Sequence, residues 1–253
     1  MQIIIPCAGF GQRFRDQGHA CSKPLIRVAG RRMLDWALDC VPVDATLHLI
    51  ARRDQTDILD SHSLSESLPL GAPRLTRLHL IEGPTQGAAL TVLSVAVGLD
   101  PERPVWVMNC DQWVDADLMA LERDALAAGL AGLILTFPGH GPQWSYALVD
   151  RHDFVTRVLE KIEAPESHAT CGIYFWSRAE SLVHSICRMV AAGERTRGEY
   201  YLAPAANFLV DKLVNLVKAV PADKFMGMGT PEQVRSFELA VLRGDVQAPA
   251  RVC

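Results

Sequence analysis

With 253 residues the chain is long enough to bury one large core or two small ones. Hydrophobic residues make up 49% and charged residues 21%, an ordinary globular composition, and no apolar run reaches the roughly 18–20 residues needed to span a bilayer. A formal net charge of −4 argues against the basic footprint of a nucleic-acid binder.

Taken in chain order, strand-like and helix-like segments alternate, the pattern of an α/β sheet with crossover helices. Residues 2–5 are an apolar run ended by Pro6 and read as a buried first strand; with no basic, cleavable leader, no signal peptide is expected. A helix is predicted over 32–40, where Met33, Trp36, Ala37 and Cys40 recur at helical spacing. Strands follow at 45–51 and 75–81, and a helix over 87–98 is bounded by glycines. Residues 105–108 read as the next buried strand, with Asp111 in the turn behind it. Asp115 is read as the N-cap of a helix to about residue 128, with Gly129 past its end. Residues 130–136 are again strand.

Beyond residue 136 the texture changes. Segments 144–149, 154–160 and 170–176 read as strands with short connections, an antiparallel extension, with a polar turn at 162–169 that contains Pro165. Helices are expected at 178–192 and around 200–210, a late strand at 214–220, and a last helix at 231–243 with Pro231 in its first turn. The fold class expected is Rossmann-like α/β: a mixed, mostly parallel central sheet flanked by helices, with a small antiparallel extension. One domain is expected over 1–243, with a nucleotide-binding half at 1–136, an acceptor-binding half at 137–243, and a frayed tail at 244–253. The seven cysteines form no CxxC pair and no histidines fall as HxxxH, so zinc spacing is absent. They read as reduced packing thiols of a cytoplasmic protein, Cys7 and Cys110 included.

In an open parallel sheet, ligands bind beyond the carboxyl ends of the strands, so the loops there carry the chemistry. After the first strand comes Ala8-Gly9-Phe10-Gly11-Gln12-Arg13, where glycines let backbone N–H groups turn toward an anion. Phe14 stands where a dinucleotide fingerprint has its third glycine, and the GK[ST] of a P-loop is missing. Arg13 adds a forked cation and Lys23 a more mobile one. Asn109-Cys110-Asp111 brings a carboxylate to the same edge, suited to a hard cation shared with phosphate oxygens. Together these residues suggest phosphate and magnesium. Singly, each reads equally as a structural turn or cap. Trp113 and Trp144 read as core or rim packing, and phosphoryl transfer gives His19 and His140 no necessary part.

The run Gly9-Phe10-Gly11-Gln12-Arg13 with Lys23-Pro24-Leu25 resembles the signature of sugar-1-phosphate nucleotidyltransferases, the nucleoside-diphosphate-sugar pyrophosphorylases. The likeness continues in order through Gly83-Pro84-Thr85-Gln86-Gly87, Asn109-Cys110-Asp111, Leu159-Glu160-Lys161, Thr170-Cys171-Gly172-Ile173-Tyr174, Gly198-Glu199-Tyr200-Tyr201-Leu202 and Gly229-Thr230-Pro231-Glu232. The resemblance implies that Arg13, Lys23 and Asp111 are catalytic, with Asp111 holding Mg2+. It implies nucleotide contacts from Ala8, Gly9, Gly11, Gln86 and Gly87, and acceptor contacts from Glu160, Lys161, Gly172 and Glu199. Its substrates would be an NTP and a phosphorylated acceptor such as a sugar 1-phosphate, with pyrophosphate as product, in surface-polysaccharide precursor synthesis. Neither nucleic acid nor membrane is an expected partner, and relatives are often homo-oligomers.

Two departures stand out. Many members carry an aspartate two residues before the closing Gly-Thr, where this chain has Gly227, with Asp223 the nearest acid. Ile162 replaces the proline after Glu160-Lys161. Two other classes share the sheet: a glycosyltransferase that holds a nucleotide-sugar's metal on Asp111, and a non-catalytic nucleotide-binding relative, which Gly227 would suit. The glycine–Arg13–Lys23 loop has no obvious use in the former.

Overall fold

The computed structural model describes residues 1–60, 75–210 and 216–247. β1 (Gln2–Pro6) leads to a short helix α1 (Gln12–Arg15), a 3₁₀ turn at Lys23–Leu25, and a small hairpin of β2 (Arg27–Val28) and β3 (Arg31–Arg32). α2 (Met33–Ala37) passes into a 3₁₀ turn at Leu38–Cys40, followed by β4 (Thr46–Arg52), α3 (Thr56–Asp60) and β5 (Leu75–Ile81). Next come α4 (Ala88–Ala96), β6 (Val105–Met108), β7 (Gln112–Asp115), α5 (Leu118–Ala127) and β8 (Gly132–Phe137). β9 (Ser145–Val149), β10 (Val155–Glu160) and β11 (Ser167–Trp176) run back and forth. The described chain closes with α6 (Ala179–Ala191), a 3₁₀ segment Ala203–Phe208, β12 (Val217–Pro221), β13 (Lys224–Gly227) and α7 (Pro231–Arg243).

Nine strands make one sheet in the order β10-β9-β11-β6-β1-β4-β5, with β8 also paired to β11 and β12 paired to β8. β10 and β11 run against the rest, so the sheet is mixed but mostly parallel, as its sequence pattern suggests. β1 reads as an unbroken apolar run because both its faces are covered. Ile4 joins Val107 and Tyr174 on the face packed by α4 and α6, whereas Ile3 and Ile5 join Trp106 and Phe175 on the face packed by α2 and α5. A third cluster lies off the sheet, where Phe14, Ile26, Trp36, Trp113, Met228 and Phe237 tie the first loop to α2, β7 and α7.

The structure corrects several expectations. Asp115 ends β7, and the N-cap of α5 is Asp117, whose carboxylate accepts from the Ala120 N–H at 3.0 Å. The expected helix around 200–210 is a 3₁₀ segment, Ala203–Phe208, with Pro204 in its first turn. The predicted late strand begins at Val217, and its first residues at 214–215 lie outside the described residues, as do 248–253 of the tail. β2 and β3 were not expected, nor was the β7–β13 ladder that pairs Gln112 with Gly227.

Candidate active site

The loop after β1 turns over a buried support from β4. Arg52, 1% exposed, donates from its guanidinium to the Ala8 carbonyl, pairs with Asp54 at 2.8 Å and lies 4.3 Å from the Phe10 ring centroid. The Gln55 amide donates to the Cys7 carbonyl at 3.0 Å. These bonds hold the loop's carbonyls toward the protein and leave Gly9 and Phe10 exposed. α1 then carries Arg13 outward and Phe14 inward, where its ring is 2% exposed in the third apolar cluster. The residue that breaks the dinucleotide fingerprint is thus the loop's anchor. Residues 16–20 form an exposed turn closed on Phe14 and Arg15 by backbone hydrogen bonds.

Lys23 returns to this edge because Asp57 accepts from both the N–H and the hydroxyl of the preceding Ser22. Its ammonium pairs with the Asp111 carboxylate at the end of β6. Burial works to lower the Lys23 pKa, but Asp111 beside it outweighs that, and the group stays above its ordinary value. Arg13 stands close enough to oppose this in part. Cys7 and Cys110 pack behind the pair; the hydrogen bond that the Cys7 thiol donates to Cys110 and its burial both push that thiol well up, so it is no nucleophile.

Arg13, Lys23 and Asp111 line one end of a cleft of about 330 Å³, and Ser145, Glu160, Lys161, Thr170, Tyr174 and Tyr201 line the other. Asn109, Gln112 and Gly172 stand between the ends. Gly172 has φ 72 and sits in an irregularity of β11 between Thr170 and Tyr174. A Cβ there would lie 2.3 Å from the Asn109 amide nitrogen and 2.8 Å from the Gln112 side-chain oxygen. Its bareness therefore seats these two side chains in the cleft wall.

At the far end Glu160 is 6% exposed and accepts from the Ser145 hydroxyl. Burial raises its carboxyl above the ordinary range, against the lowering effects of Ser145 and Lys161. Lys161 has a left-handed backbone, φ 59, held by its N–H donating to the Trp144 carbonyl at 3.0 Å. Its ammonium lies against Tyr201 and bonds the phenol oxygen. Trp144 meets Phe137 and Phe225 edge-on at the rim, whereas Trp113 is core.

The remaining expected residues lie off the lining. Ala8 is buried beneath the loop, and Gly11 caps α1 with Lys23 packed against it. Gln86 is exposed, and its carbonyl accepts from the Tyr200 N–H at 2.8 Å. A Cβ on Gly87 would strike the Tyr200 backbone at 2.4 Å, so this glycine clamps two loops together and Ala88 reaches the cleft instead. Glu199 is exposed and outside the lining; Tyr201 takes its place there. Sequence reasoning missed Ser145, Tyr174, Gln233 and the support from Arg52 and Gln55.

Gly227 lines the cleft with its missing side chain aimed at Trp144 and Gln233, at 3.1 and 3.3 Å from an added Cβ. Asp223 sits exposed at the opposite end of β13, paired to Asp115, and does not replace the absent acid. Among the described residues no group of three His, Cys, Asp or Glu could cage a metal ion.

Residues 2–237 match the family described as nucleotidyl transferase. The chain is 24% identical over 246 residues to the bifunctional protein GlmU of Burkholderia lata, covering 94% of this chain and 51% of that protein. It thus spans about half the length of that curated relative. Among solved structures, the nucleoside-diphosphate-sugar pyrophosphorylase of Vibrio cholerae RC9 superposes with a TM-score of 0.77 at 22% identity, covering 94% of this chain and 99% of that one. A putative glucose-1-phosphate thymidylyltransferase from Bacillus anthracis gives 0.76 at 16% identity, covering 99% and 98%. The inositol-1-phosphate CTP transferase from T. maritima gives 0.67 at 11%, covering 96% of each chain. At these identities the structural likeness is one of fold, but the match over nearly the whole chain is one of descent: the chain belongs to the nucleotidyl transferase family.

Proposed function

We propose that the chain transfers a nucleoside monophosphate from an NTP to a phosphorylated acceptor, a sugar 1-phosphate, and releases pyrophosphate. The observation that carries this reading is the Lys23–Asp111 pair, with Arg13 near it, in one cleft with Glu160 and Lys161. The names of the pyrophosphorylase and thymidylyltransferase of the same fold support the sugar-phosphate side.

The difficulty of such a reaction is bringing two anions together. An acceptor phosphate oxygen attacks the α-phosphorus in line as pyrophosphate leaves, and because that oxygen is already ionised no general base is needed. Arg13 and Lys23 neutralise the triphosphate and the charge gathering on the five-coordinate phosphorus. Backbone N–H groups of the Gly9–Gly11 turn receive phosphate oxygens. The loop of Gln86 and Gly87, which brings Ala88 into the cleft, lies beside the base. Glu160 accepts from acceptor hydroxyls, and Lys161 holds the acceptor's phosphate.

Mg2+ binds through one or two carboxylates with phosphate and water oxygens, and Asp111 meets that minimum with the oxygen that Lys23 leaves open. Bound there, Mg2+ would supply charge neutralisation and alignment of the phosphate oxygens. On this reading the enzyme is cytoplasmic, with small molecules as its partners.

The test is pyrophosphate release from each common NTP against sugar 1-phosphates, inositol phosphate and phosphocholine, with and without a chelator. Chelator-sensitive release with one sugar 1-phosphate is expected. A nucleoside diphosphate as product would instead mean glycosyl transfer, and nucleotide binding without turnover would mean a non-catalytic relative.

A further inference from the structure

The acceptor end holds an arrangement of hydroxyls that the reaction as described does not use. The Thr170 and Tyr174 hydroxyls lie 2.9 Å apart, with both residues nearly fully buried. Ser145 donates to Glu160 Oε2. A serine hydroxyl has one proton, and Ser145 commits it to that carboxylate oxygen. Glu160 Oε1 takes no protein donor among the described residues and belongs to a cleft-lining side chain.

We propose that Ser145 is a positioning residue for the acceptor: its hydroxyl locks one oxygen of Glu160 and turns the other toward the acceptor's hydroxyls. This rests on the reaction proposed above. Three strands converge on this end of the cleft, β9 giving Ser145, β10 giving Glu160 and β11 giving Thr170 and Tyr174. The groups facing Glu160 are Lys161 beside it and Tyr174 from β11, with Arg13, Lys23 and Asp111 at the far end of the cleft. Ser145 is also one of the two influences that hold the buried Glu160 carboxyl down.

The test is Ser145→Ala and Ser145→Thr, with KM for acceptor and for NTP measured from acid to neutral pH. A hydrogen bond to a carboxylate is lost in the alanine variant, so its acceptor KM should rise about tenfold. Its NTP KM should stay within about twofold, as expected of a site whose effect is confined to one substrate. The acid limb of kcat/KM for acceptor should move to higher pH, because one influence lowering Glu160 is gone. Ser145→Thr, which restores the hydroxyl, should return both to the wild-type values. Equal rises in both KM values, an unmoved acid limb, or no rescue by threonine would overturn the inference while leaving the transfer reaction intact. A wild-type protein that releases no pyrophosphate with any pair would overturn the reaction, and this inference with it.

Discussion

The two ends of the cleft solve different problems with different materials. The end proposed for the nucleotide is made of charges and a bare backbone turn: Arg13 is exposed, and Lys23 and Asp111 keep 20% of their side-chain surface each. The end proposed for the acceptor is made of hydroxyls and one carboxylate between three strands, with the Lys161 ammonium against Tyr201 beside them; Thr170, Tyr174 and Glu160 are each at 6% exposure or less. Neutralising a triphosphate requires positive charge within reach, and that works at a partly solvated edge. Distinguishing one acceptor from another requires polar groups that suffer when left unpaired, and they suffer only where water is kept out.

If the division is real, the largest effects belong to the charged end and should fall on turnover. Lys23→Met and Asp111→Asn are each expected to lower kcat by roughly 10²–10³-fold. The double variant should lose little more than either single one, because the two groups act as a unit. Pyrophosphate-release kinetics on the three proteins checks this. Near-normal turnover in either single variant would remove the charged end from the chemistry.

Next in size is a change at the wall between the ends. Gly172→Ala forces a Cβ to 2.3 Å from the Asn109 amide nitrogen at a backbone φ of 72. The strain and displacement should cost about 2–3 kcal/mol, a melting point lower by roughly 4–12 °C. Both substrate KM values should rise together, since Asn109 and Gln112 stand between the ends. A rise confined to one substrate would show that the wall belongs to that end alone.

The charged end was also the more legible one in the sequence. Gly9, Arg13, Lys23 and Asp111 sit in loops that directly follow or return to the ends of parallel strands, so strand prediction alone brings them together. The Ser145–Glu160 arrangement is not readable in that way. Ser145, Glu160 and Tyr174 meet only through the registers of β9, β10 and β11, and the irregularity at Gly172 shifts one of them. Arg52 follows the strand expected at 45–51 with no pattern in the sequence to single it out, yet the fold buries it under the loop as a support. β7 and β13 carry four residues each with no clean alternation and are strands only because they pair with each other. The misplaced helix cap has a similar origin: Asp115 and Asp117 are both acceptable N-caps by type, and the pairing of Asp115 with Lys224 in the ladder decides between them.

The smallest effect expected is on stability, and it runs opposite to the effect on function. Burial raises the Glu160 carboxyl above its ordinary value in the folded protein. Between the unfolded and folded values the native state therefore holds more proton than the unfolded chain. Stability is greatest below the unfolded value and is lost as pH rises through the folded one. At neutral pH the wild type bears the whole cost of an ionised, nearly dry carboxylate. Glu160→Gln keeps the shape and can still accept from Ser145 through its amide oxygen, so it should melt higher at pH 7–8, by on the order of 1 kcal/mol. The gain should vanish below about pH 4, where the wild-type carboxyl is protonated in both states. The same variant should raise acceptor KM by about tenfold or more and leave NTP KM nearly unchanged. Thermal melts across pH, set beside the two KM values, read both effects from one protein. A stabilised variant with an impaired acceptor end would mean that the carboxylate is kept ionised and buried against the fold's own preference, for the sake of the acceptor.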